Sequence, residues 1–131
     1  MNKVLVIEDS VAQGLDMKMG LEEQNFQVVV ATTVFEAFHA LKETTPDLII
    51  LDTVLPGVDG IELCRTLKKD YQTRNVPIIM FSNDNKLHNM IKAYEAGTDY
   101  FIVKDEESSK ALLILADSLR YRKQRRLSLS A

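Results

Sequence analysis

Five short apolar runs alternate with longer amphipathic stretches along the chain. The runs are rich in valine, isoleucine and aromatic residues, and they span residues 4–7, 26–30, 48–51, 76–81 and 100–103. Near-continuous apolar runs of this length are typical of strands that are buried on both faces, as in a parallel sheet. The pattern therefore predicts five buried parallel strands rather than half-exposed antiparallel ones.

The stretches between the strands have helical periodicity. Asp59 is a suitable N-cap and Gly97 a suitable stop for two of the helices, whereas Gly14 and Gly20 lower the helix propensity of the first. The predicted helices span residues 10–24, 33–43, 59–70, 85–96 and 107–124. The expected buried stripe of the last helix consists of Ala111, Ile114, Leu115 and Leu119. Strict alternation of strand and helix predicts an α/β sandwich with helices on both faces of the sheet, joined by right-handed crossovers.

Length and composition fit a single domain. A chain of 131 residues with 46% hydrophobic and 27% charged side chains can bury one core. No apolar run reaches the ~18 residues of a membrane span, and the start lacks the longer apolar segment of a signal peptide. The one cysteine, Cys64, cannot form an internal disulfide, so we expect a reducing, cytoplasmic compartment.

Charge is distributed unevenly along the chain. Residues 120–131 hold five of the sixteen basic side chains and no acidic one, so the remainder is strongly acidic. An acidic body argues against nucleic acid as the main partner. We expect a domain over residues 1–124, followed over residues 125–131 by a basic, frayed tail or the start of a linker.

Polar side chains follow four of the five predicted strands. Glu8 and Asp9 follow the first strand, and Asp52 follows the third. Ser82 ends the fourth strand, and Lys104 follows the fifth. We expect them to share one rim, because ligands of open parallel sheets bind beyond the carboxyl ends of the strands. Three crowded carboxylates repel one another unless a cation is present, and Mg²⁺ prefers carboxylate oxygens. With an ammonium and a hydroxyl beside them, these carboxylates predict a Mg²⁺-dependent site that transfers a phosphoryl group onto a carboxylate.

Over about residues 3–120 the chain resembles the receiver domain of two-component response regulators. The matching features, in order, are the acidic pair Glu8-Asp9, the lone Asp52, the loop Leu55-Pro56-Gly57-Val58-Asp59-Gly60, the hydroxyl of Ser82 and the segment Ala96-Gly97-Thr98-Asp99-Tyr100-Phe101-Ile102-Val103-Lys104. The resemblance implies a flavodoxin-like (βα)5 sandwich with strand order 2-1-3-4-5. It also implies phosphorelay signalling without turnover of a substrate, apart from self-phosphorylation from a donor and autodephosphorylation.

The resemblance implies a role for each residue of the acidic rim. Asp52 is the phosphoacceptor, and a histidine kinase or phosphotransfer protein is the donor. Glu8, Asp9, Asp52 and the main-chain carbonyl of Val54 hold Mg²⁺. Lys104 pairs with Asp52 or with its phosphoryl group.

The resemblance further implies a switch. Ser82 moves toward the phosphoryl oxygen, and Phe101 takes the place of the aromatic residue whose rotamer follows phosphorylation. The fifth strand and the helices over residues 85–96 and 107–124 then form the face that binds a downstream protein, a covalently linked output domain or a second copy. We expect no direct contact of this domain with nucleic acid or membrane, and either a stand-alone receiver or part of a longer regulator.

Three positions depart from the family pattern. Asp105 stands where the family has a proline after a cis peptide bond, and a cis bond before a non-proline residue costs about 3–4 kcal/mol, so we expect a trans bond. Asn83 replaces a small residue after the switch hydroxyl, which narrows access to Asp52. Val54 is apolar where some relatives carry a polar residue that positions water, which affects the rate of dephosphorylation.

Three other functions compete with this interpretation. Asn83 and Asp105 keep open a pseudo-receiver that serves only as a docking module. An aspartyl-phosphate phosphatase normally has a second aspartate two residues after its nucleophile, and here that position is Val54. A flavin or nucleotide carrier needs a phosphate-binding loop after the first strand, where Glu8 and Asp9 would repel phosphate.

Overall fold

The structure is a computed structural model that describes residues 2–130, with the side chains of residues 2–123. The strands are β1 (Lys3–Ile7), β2 (Gln27–Ala31), β3 (Leu48–Leu51), β4 (Val54–Leu55), β5 (Val58–Asp59), β6 (Ile78–Ser82) and β7 (Tyr100–Val103). The helices are α1 (Val11–Glu23), α2 (Val34–Glu43), α3 (Gly60–Lys69), α4 (Leu87–Glu95) and α5 (Ser108–Ser130).

Five strands form one parallel sheet in the order β2-β1-β3-β6-β7. When only these five strands are counted, the order is 2-1-3-4-5, so the expected flavodoxin-like topology is confirmed. In the register, Val6 of β1 lies opposite Val30 of β2 and Ile50 of β3. Strand β1 is therefore an interior strand, and its carboxyl end lies between those of β2 and β3.

The core consists of two layers, one on each face of the sheet. Leu5 and Ile7 of β1 pack with the layer that includes buried residues of α2 and α3, whereas Val4 and Val6 pack with the layer of α1 and α5. This alternation follows from the two-residue period of a strand, and it explains why β1 is apolar at every central position. Full burial of a valine, leucine or isoleucine side chain contributes about 1.5–3 kcal/mol to the stability of the fold.

Close packing explains the presence of Gly14 in α1, where a glycine lowers helix propensity. A Cβ atom at Gly14 would lie 2.8 Å from Cγ1 of Val30, so the missing side chain lets α1 approach β2. Cys64 is also closely packed, since this residue is 0% exposed within α3.

The predicted stripe of α5 was wrong at two of its four positions. Ile114 is 70% exposed and Ala111 is also exposed, whereas Leu112 and Ala116 are buried. Apolar residues on both sides of the true stripe make its position ambiguous in the sequence.

The helix α5 runs beyond the predicted end at residue 124 and reaches Ser130, because no glycine or proline interrupts its C-terminal half. The side chains of residues 124–131, which include the charges of the predicted basic tail, lie outside the described residues. Within the described part of the chain, no helix is both long and apolar enough to cross a membrane.

Between β3 and α3 the chain forms a short antiparallel hairpin that was not predicted. Strands β4 and β5 pair over only two residues each, and Pro56 and Gly57 form the turn, with φ of +69° at Gly57. Asp59 then caps α3 as predicted, since its Oδ1 accepts the N–H of Ile61 at 2.9 Å. Two-residue strands carry too little periodic signal to be recognised in a sequence.

Candidate functional site

The backbone of three predicted site residues continues the hydrogen-bond ladder of the sheet. The N–H groups of Glu8, Asp52 and Lys104 each donate to a carbonyl on a neighbouring strand, over distances of 2.8 to 3.1 Å. Each residue lies directly after the last residue of a strand. The site is therefore held by the sheet rather than by a free loop, which fixes the direction of its side chains.

Lys104 joins the three strand ends through its ammonium group. Its Nζ donates to Oε1 of Glu8 at 2.8 Å, to Oδ2 of Asp52 at 3.0 Å and to Oε1 of Gln13 at 2.6 Å. These contacts use all three donors of an ammonium. The side chain of Lys104 is 10% exposed, that of Asp52 12% and that of Glu8 2%, so the ion pairs are largely shielded from water.

Two carboxylates, those of Glu8 and Asp52, share the ammonium of Lys104. Burial, together with the neighbouring carboxylate of Asp52, raises the pKa of Glu8 from 4.5 to about 7. Burial by itself would lower the pKa of Lys104, but its hydrogen bonds to Glu8 and Asp52 outweigh that effect and raise the pKa. The lysine thus stays charged, and the site remains short of positive charge.

The acidic cluster can accommodate a hard divalent cation. Glu8, Asp9 and Asp52 each offer a carboxylate oxygen, and these oxygens all lie within 4.8 Å of one another. Oε2 of Glu8 is buried and has no hydrogen-bond partner among the described residues, and leaving a buried acceptor unpaired costs free energy. Asp9 is exposed, so water has access to the cluster. Three carboxylates at a position that water can reach are a suitable donor set for Mg²⁺, which usually keeps several water ligands.

The loop after Asp52 is held against the start of α3. The N–H of Val54 donates to Oδ1 of Asp52 at 3.1 Å, and the N–H of Gly60 donates to the carbonyl of Thr53 at 2.9 Å. A Cβ atom at Gly60 would lie 2.2 Å from the carbonyl oxygen of Asp52 and 2.7 Å from Cα of Thr53. Only glycine permits this approach, so Gly60 helps to fix the backbone that presents Asp52.

Ser82 lies on the same rim but binds residues other than Asp52. It is fully buried, and its hydroxyl forms a hydrogen bond with the hydroxyl of Thr53. Its Oγ also accepts the N–H of Asp84 at 3.1 Å. Ser82 therefore occupies a defined position in this structure, away from direct hydrogen bonding to the carboxylate.

Phe101 lies on β7, the edge strand next to β6. It is half-buried, lies opposite Met80 in the register, and packs against the core layer that includes α2 and α3. Tyr100 packs against the other layer, as expected for the next residue of a strand. All four residues of β7 are half-buried, so this strand is less enclosed than β1 or β3.

The peptide bond between Lys104 and Asp105 is trans, as expected, and so are the other described peptide bonds. The N–H of Asp105 donates to Oγ of Ser108 at 2.9 Å, and Oγ of Ser108 donates to the carbonyl of Asp105 at 2.8 Å. Oδ1 of Asp105 also accepts the N–H of Glu107 at 2.9 Å. An aspartate at this position thus forms a closed turn that leads into α5.

Sequence reasoning missed two polar residues of the site. Gln13, on the first turn of α1, binds the ammonium of Lys104, and Thr53 binds the hydroxyl of Ser82. The available signal was positional, because Gln13 lies one helical turn after Asp9 and Thr53 directly follows Asp52.

Comparison with known proteins matches residues 4–116 to the family described as the response regulator receiver domain. The phosphate regulon transcriptional regulatory protein PhoB of Rhizobium meliloti (strain 1021) is 35% identical over 126 residues, which are 96% of this chain and 56% of PhoB. The transcriptional regulatory protein ResD of Bacillus subtilis (strain 168) is 36% identical over 118 residues, which are 90% of this chain and 48% of ResD. The chain thus spans about half the length of these curated relatives.

A solved structure extends the similarity to three dimensions. The signal receiver domain of a signal transduction histidine kinase from Syntrophus aciditrophicus is 33% identical to this chain, with a TM-score of 0.81. The match covers 91% of this chain and 89% of that one. Sequence and structure therefore agree over nearly all of the sandwich.

Proposed function

This chain belongs to the response regulator receiver domains of two-component signalling, and from that premise we propose that Asp52 accepts a phosphoryl group from a histidine kinase or a phosphotransfer protein. The observation that carries the proposal is the carboxylate of Asp52, bound by the ammonium of Lys104 on a rim that also holds Glu8 and Asp9. A lone solvated aspartate would have neither the cation nor the acidic neighbours.

The proposed step exchanges one bond to phosphorus for another. A carboxylate oxygen of Asp52 attacks the phosphorus of a phosphohistidine, the phosphorus–oxygen bond forms, and the phosphorus–nitrogen bond breaks. The histidine nitrogen leaves with the electron pair and takes a proton from solvent. Negative charge on the transferring oxygens is stabilised by Lys104, whose Nζ lies 3.0 Å from Oδ2 of Asp52.

We propose that Glu8, Asp9, Asp52 and the carbonyl of Val54 hold Mg²⁺. When bound, this ion supplies positive charge to the acidic rim and to the phosphoryl oxygens. The unpaired Oε2 of Glu8 supports the assignment. Asp9→Asn is expected to weaken Mg²⁺ binding in calorimetry and to abolish phosphorylation. A titration curve that matches the parent would reject the site.

Phosphorylation of Asp52 can be tested with a small donor. Incubation with acetyl phosphate and Mg²⁺ is expected to add the mass of one phosphoryl group to the intact protein, and Asp52→Asn is expected to remove that adduct while retaining the fold. Asp70→Asn is the matched control, because Asp70 caps the far end of α3. An adduct that persists in Asp52→Asn would refute the assignment.

The surface of α1 supports a helical protein as the donor. Val11, Leu15 and Met19 are spaced by four residues, and they are 72%, 55% and 57% exposed. They form an apolar stripe that begins two residues after Asp9. A kinase or phosphotransfer protein that presents its histidine on a helix can cover this stripe while the histidine reaches Asp52. Leu15→Glu is expected to slow phosphotransfer from an autophosphorylated kinase that labels the parent, and to leave labelling by acetyl phosphate unchanged.

We propose that the output is read on the face formed by α4, β7 and α5. Of the nine residues of α4, only Ala93 is buried, and Leu87, Ile91 and Tyr94 are 70%, 49% and 51% exposed. Movement of Ser82 and Phe101 would reach this face directly, because they lie on the adjacent strands β6 and β7. The partner is a downstream protein, an output domain or a second copy.

A further inference from the structure

Thr53 directly follows the proposed phosphoacceptor, yet its side chain is withdrawn from solvent. It is 7% exposed, and its hydroxyl forms a hydrogen bond with the hydroxyl of Ser82, which is 0% exposed. Two buried hydroxyls, one in the loop after β3 and one at the end of β6, are thus paired within the site.

The hydroxyl of Ser82 has little unused capacity in this arrangement. A serine hydroxyl has one donor and two acceptor positions, and here it accepts the N–H of Asp84 and shares a hydrogen bond with Thr53. Whichever hydroxyl donates, displacement of Oγ of Ser82 toward a phosphoryl oxygen on Asp52 breaks the contact with Thr53. The buried hydroxyl of Thr53 then loses the partner it has among the described residues, which costs free energy.

A second buried threonine shows that this arrangement is not a general feature of the core. The hydroxyl of Thr98 donates to the carbonyls of Ile78 and Tyr100, at 3.2 and 3.0 Å. Those partners are backbone atoms of the sheet and its edge strand. Thr53 instead binds a side chain that has to move if the switch operates.

We propose that Thr53 is a positioning residue that holds Ser82 in the arrangement of the unphosphorylated protein. Thr53 therefore opposes the switch. Its hydroxyl sets how strongly phosphorylation shifts Ser82 from the position beside Thr53 to the position beside the phosphoryl group. This inference rests on the proposed function, because it assumes that Ser82 binds a phosphoryl group on Asp52.

The test measures the affinity of the intact chain for beryllofluoride, a phosphoryl mimic, in the presence of Mg²⁺. Thr53→Val removes the hydroxyl and keeps the shape, so it is expected to bind the mimic about fivefold more tightly than the parent. Thr53→Ser retains a hydroxyl and is expected to restore the affinity of the parent. Thr98→Val is the matched control: it is expected to lower stability and to leave this affinity unchanged.

A double-mutant cycle separates positioning from structural support. In a Ser82→Ala background, Thr53→Val is expected to have no effect on affinity, because the residue through which Thr53 acts is absent. If Thr53→Val does not fold by circular dichroism, Thr53→Ala replaces it in the same cycle.

Affinity equal to or weaker than that of the parent, in a folded Thr53→Val or Thr53→Ala protein, would overturn the inference. So would an effect that persists in the Ser82→Ala background. If the parent itself fails to bind beryllofluoride, the proposed function fails and the inference fails with it.

Discussion

The strands that carry the acids, β1 and β3, are buried along their length apart from Lys3, whereas β7 is half-buried at all four positions. The helices beside them differ in the same way. Helix α3 buries five residues and is capped by the side chain of Asp59, whereas α4 buries Ala93 alone and has no side-chain hydrogen bond at its N-cap, Lys86.

The two halves of the rim therefore suit different tasks. Groups that bind a cation and a phosphoryl group need fixed positions, and Glu8 and Asp52 are attached to the enclosed half. Elements with few buried contacts open at lower free energy, and they are the ones that move when a protein switches. From this contrast we propose that β1, β3 and α3 hold the phosphoryl acceptor and that β7 and α4 respond, whereas β6, which is buried at all five positions, carries Ser82 between them.

Removal of the central cation has the largest expected effect. Lys104→Met leaves the carboxylates of Glu8 and Asp52 without the cation that they share, and breaking a buried ion pair typically costs about 3–5 kcal/mol. Urea unfolding of the metal-free protein measures the loss, and added Mg²⁺ is expected to restore part of it.

The matched control for this change is Lys68→Met. Lys68 pairs with Asp99, whose side chain is 40% exposed, and its Nζ also donates to the carbonyl of Val76 at 2.9 Å, so the expected loss is about 1–2 kcal/mol, less than for Lys104. Equal losses in the two variants would show that Lys104 does not hold the carboxylates together.

A methyl group at Gly60 tests how tightly the acceptor loop is held. Because its Cβ would meet the backbone of Asp52 and Thr53, Gly60→Ala is expected to cost about 1–3 kcal/mol or more and to slow labelling by acetyl phosphate. Gly57→Ala is the control, since Gly57 has positive φ but no atom near its missing Cβ, so we expect a loss of about 1–2 kcal/mol with labelling retained. Normal labelling of Gly60→Ala would mean that the loop can shift freely.

Helix caps test the contrast from both sides. Asp59→Ala removes a working cap from α3 and is expected to cost about 1 kcal/mol, whereas Lys86→Ser supplies α4 with a cap and is expected to add up to about 1 kcal/mol. Thermal unfolding measures both changes, and hydrogen exchange shows whether Lys86→Ser protects residues 87–95. If residues 87–95 gain no protection, the missing N-cap is not what limits the stability of α4.

Thiol reactivity compares α3 with α4 at the smallest perturbation, because Cys64 of α3 is a native residue and only the probe on α4 has to be introduced. Cys64 is 0% exposed in α3, and burial raises its pKa to about 11, so at pH 8 it is both protonated and inaccessible. We expect a disulfide reagent to react with Cys64 only as fast as the protein unfolds. A cysteine introduced as Leu87→Cys, at a position 70% exposed on α4, is expected to react at once. Rapid reaction of Cys64 in the parent would show that α3 opens locally.

Much of this architecture can be read from the sequence, for reasons that the structure makes clear. Apolar runs mark strands buried on both faces, and parallel strands place their carboxyl ends together, so Glu8, Asp52 and Lys104 were expected on one rim. The cap at Asp59 needs only local geometry. Each of these features depends on neighbours in the chain or on the common direction of the strands.

The contacts that escaped prediction depend on register and rotamer. Thr53 and Ser82 are 29 residues apart, and Gln13 and Lys104 are 91 apart, so no local pattern joins them. The prediction of the buried stripe of α5 failed for a related reason, since apolar residues on both sides of it fit a helical period equally well and packing against β7 and α1 decides between them.

The division of the rim is tested most directly by amide chemical shifts, recorded with and without beryllofluoride in the presence of Mg²⁺. We expect changes throughout residues 83–104, which include α4 and β7, and little change in α3 beyond the residues next to Asp52. Changes confined to residues that touch Asp52, with none over 83–104, would contradict the account and leave the chain a phosphate acceptor without this switch.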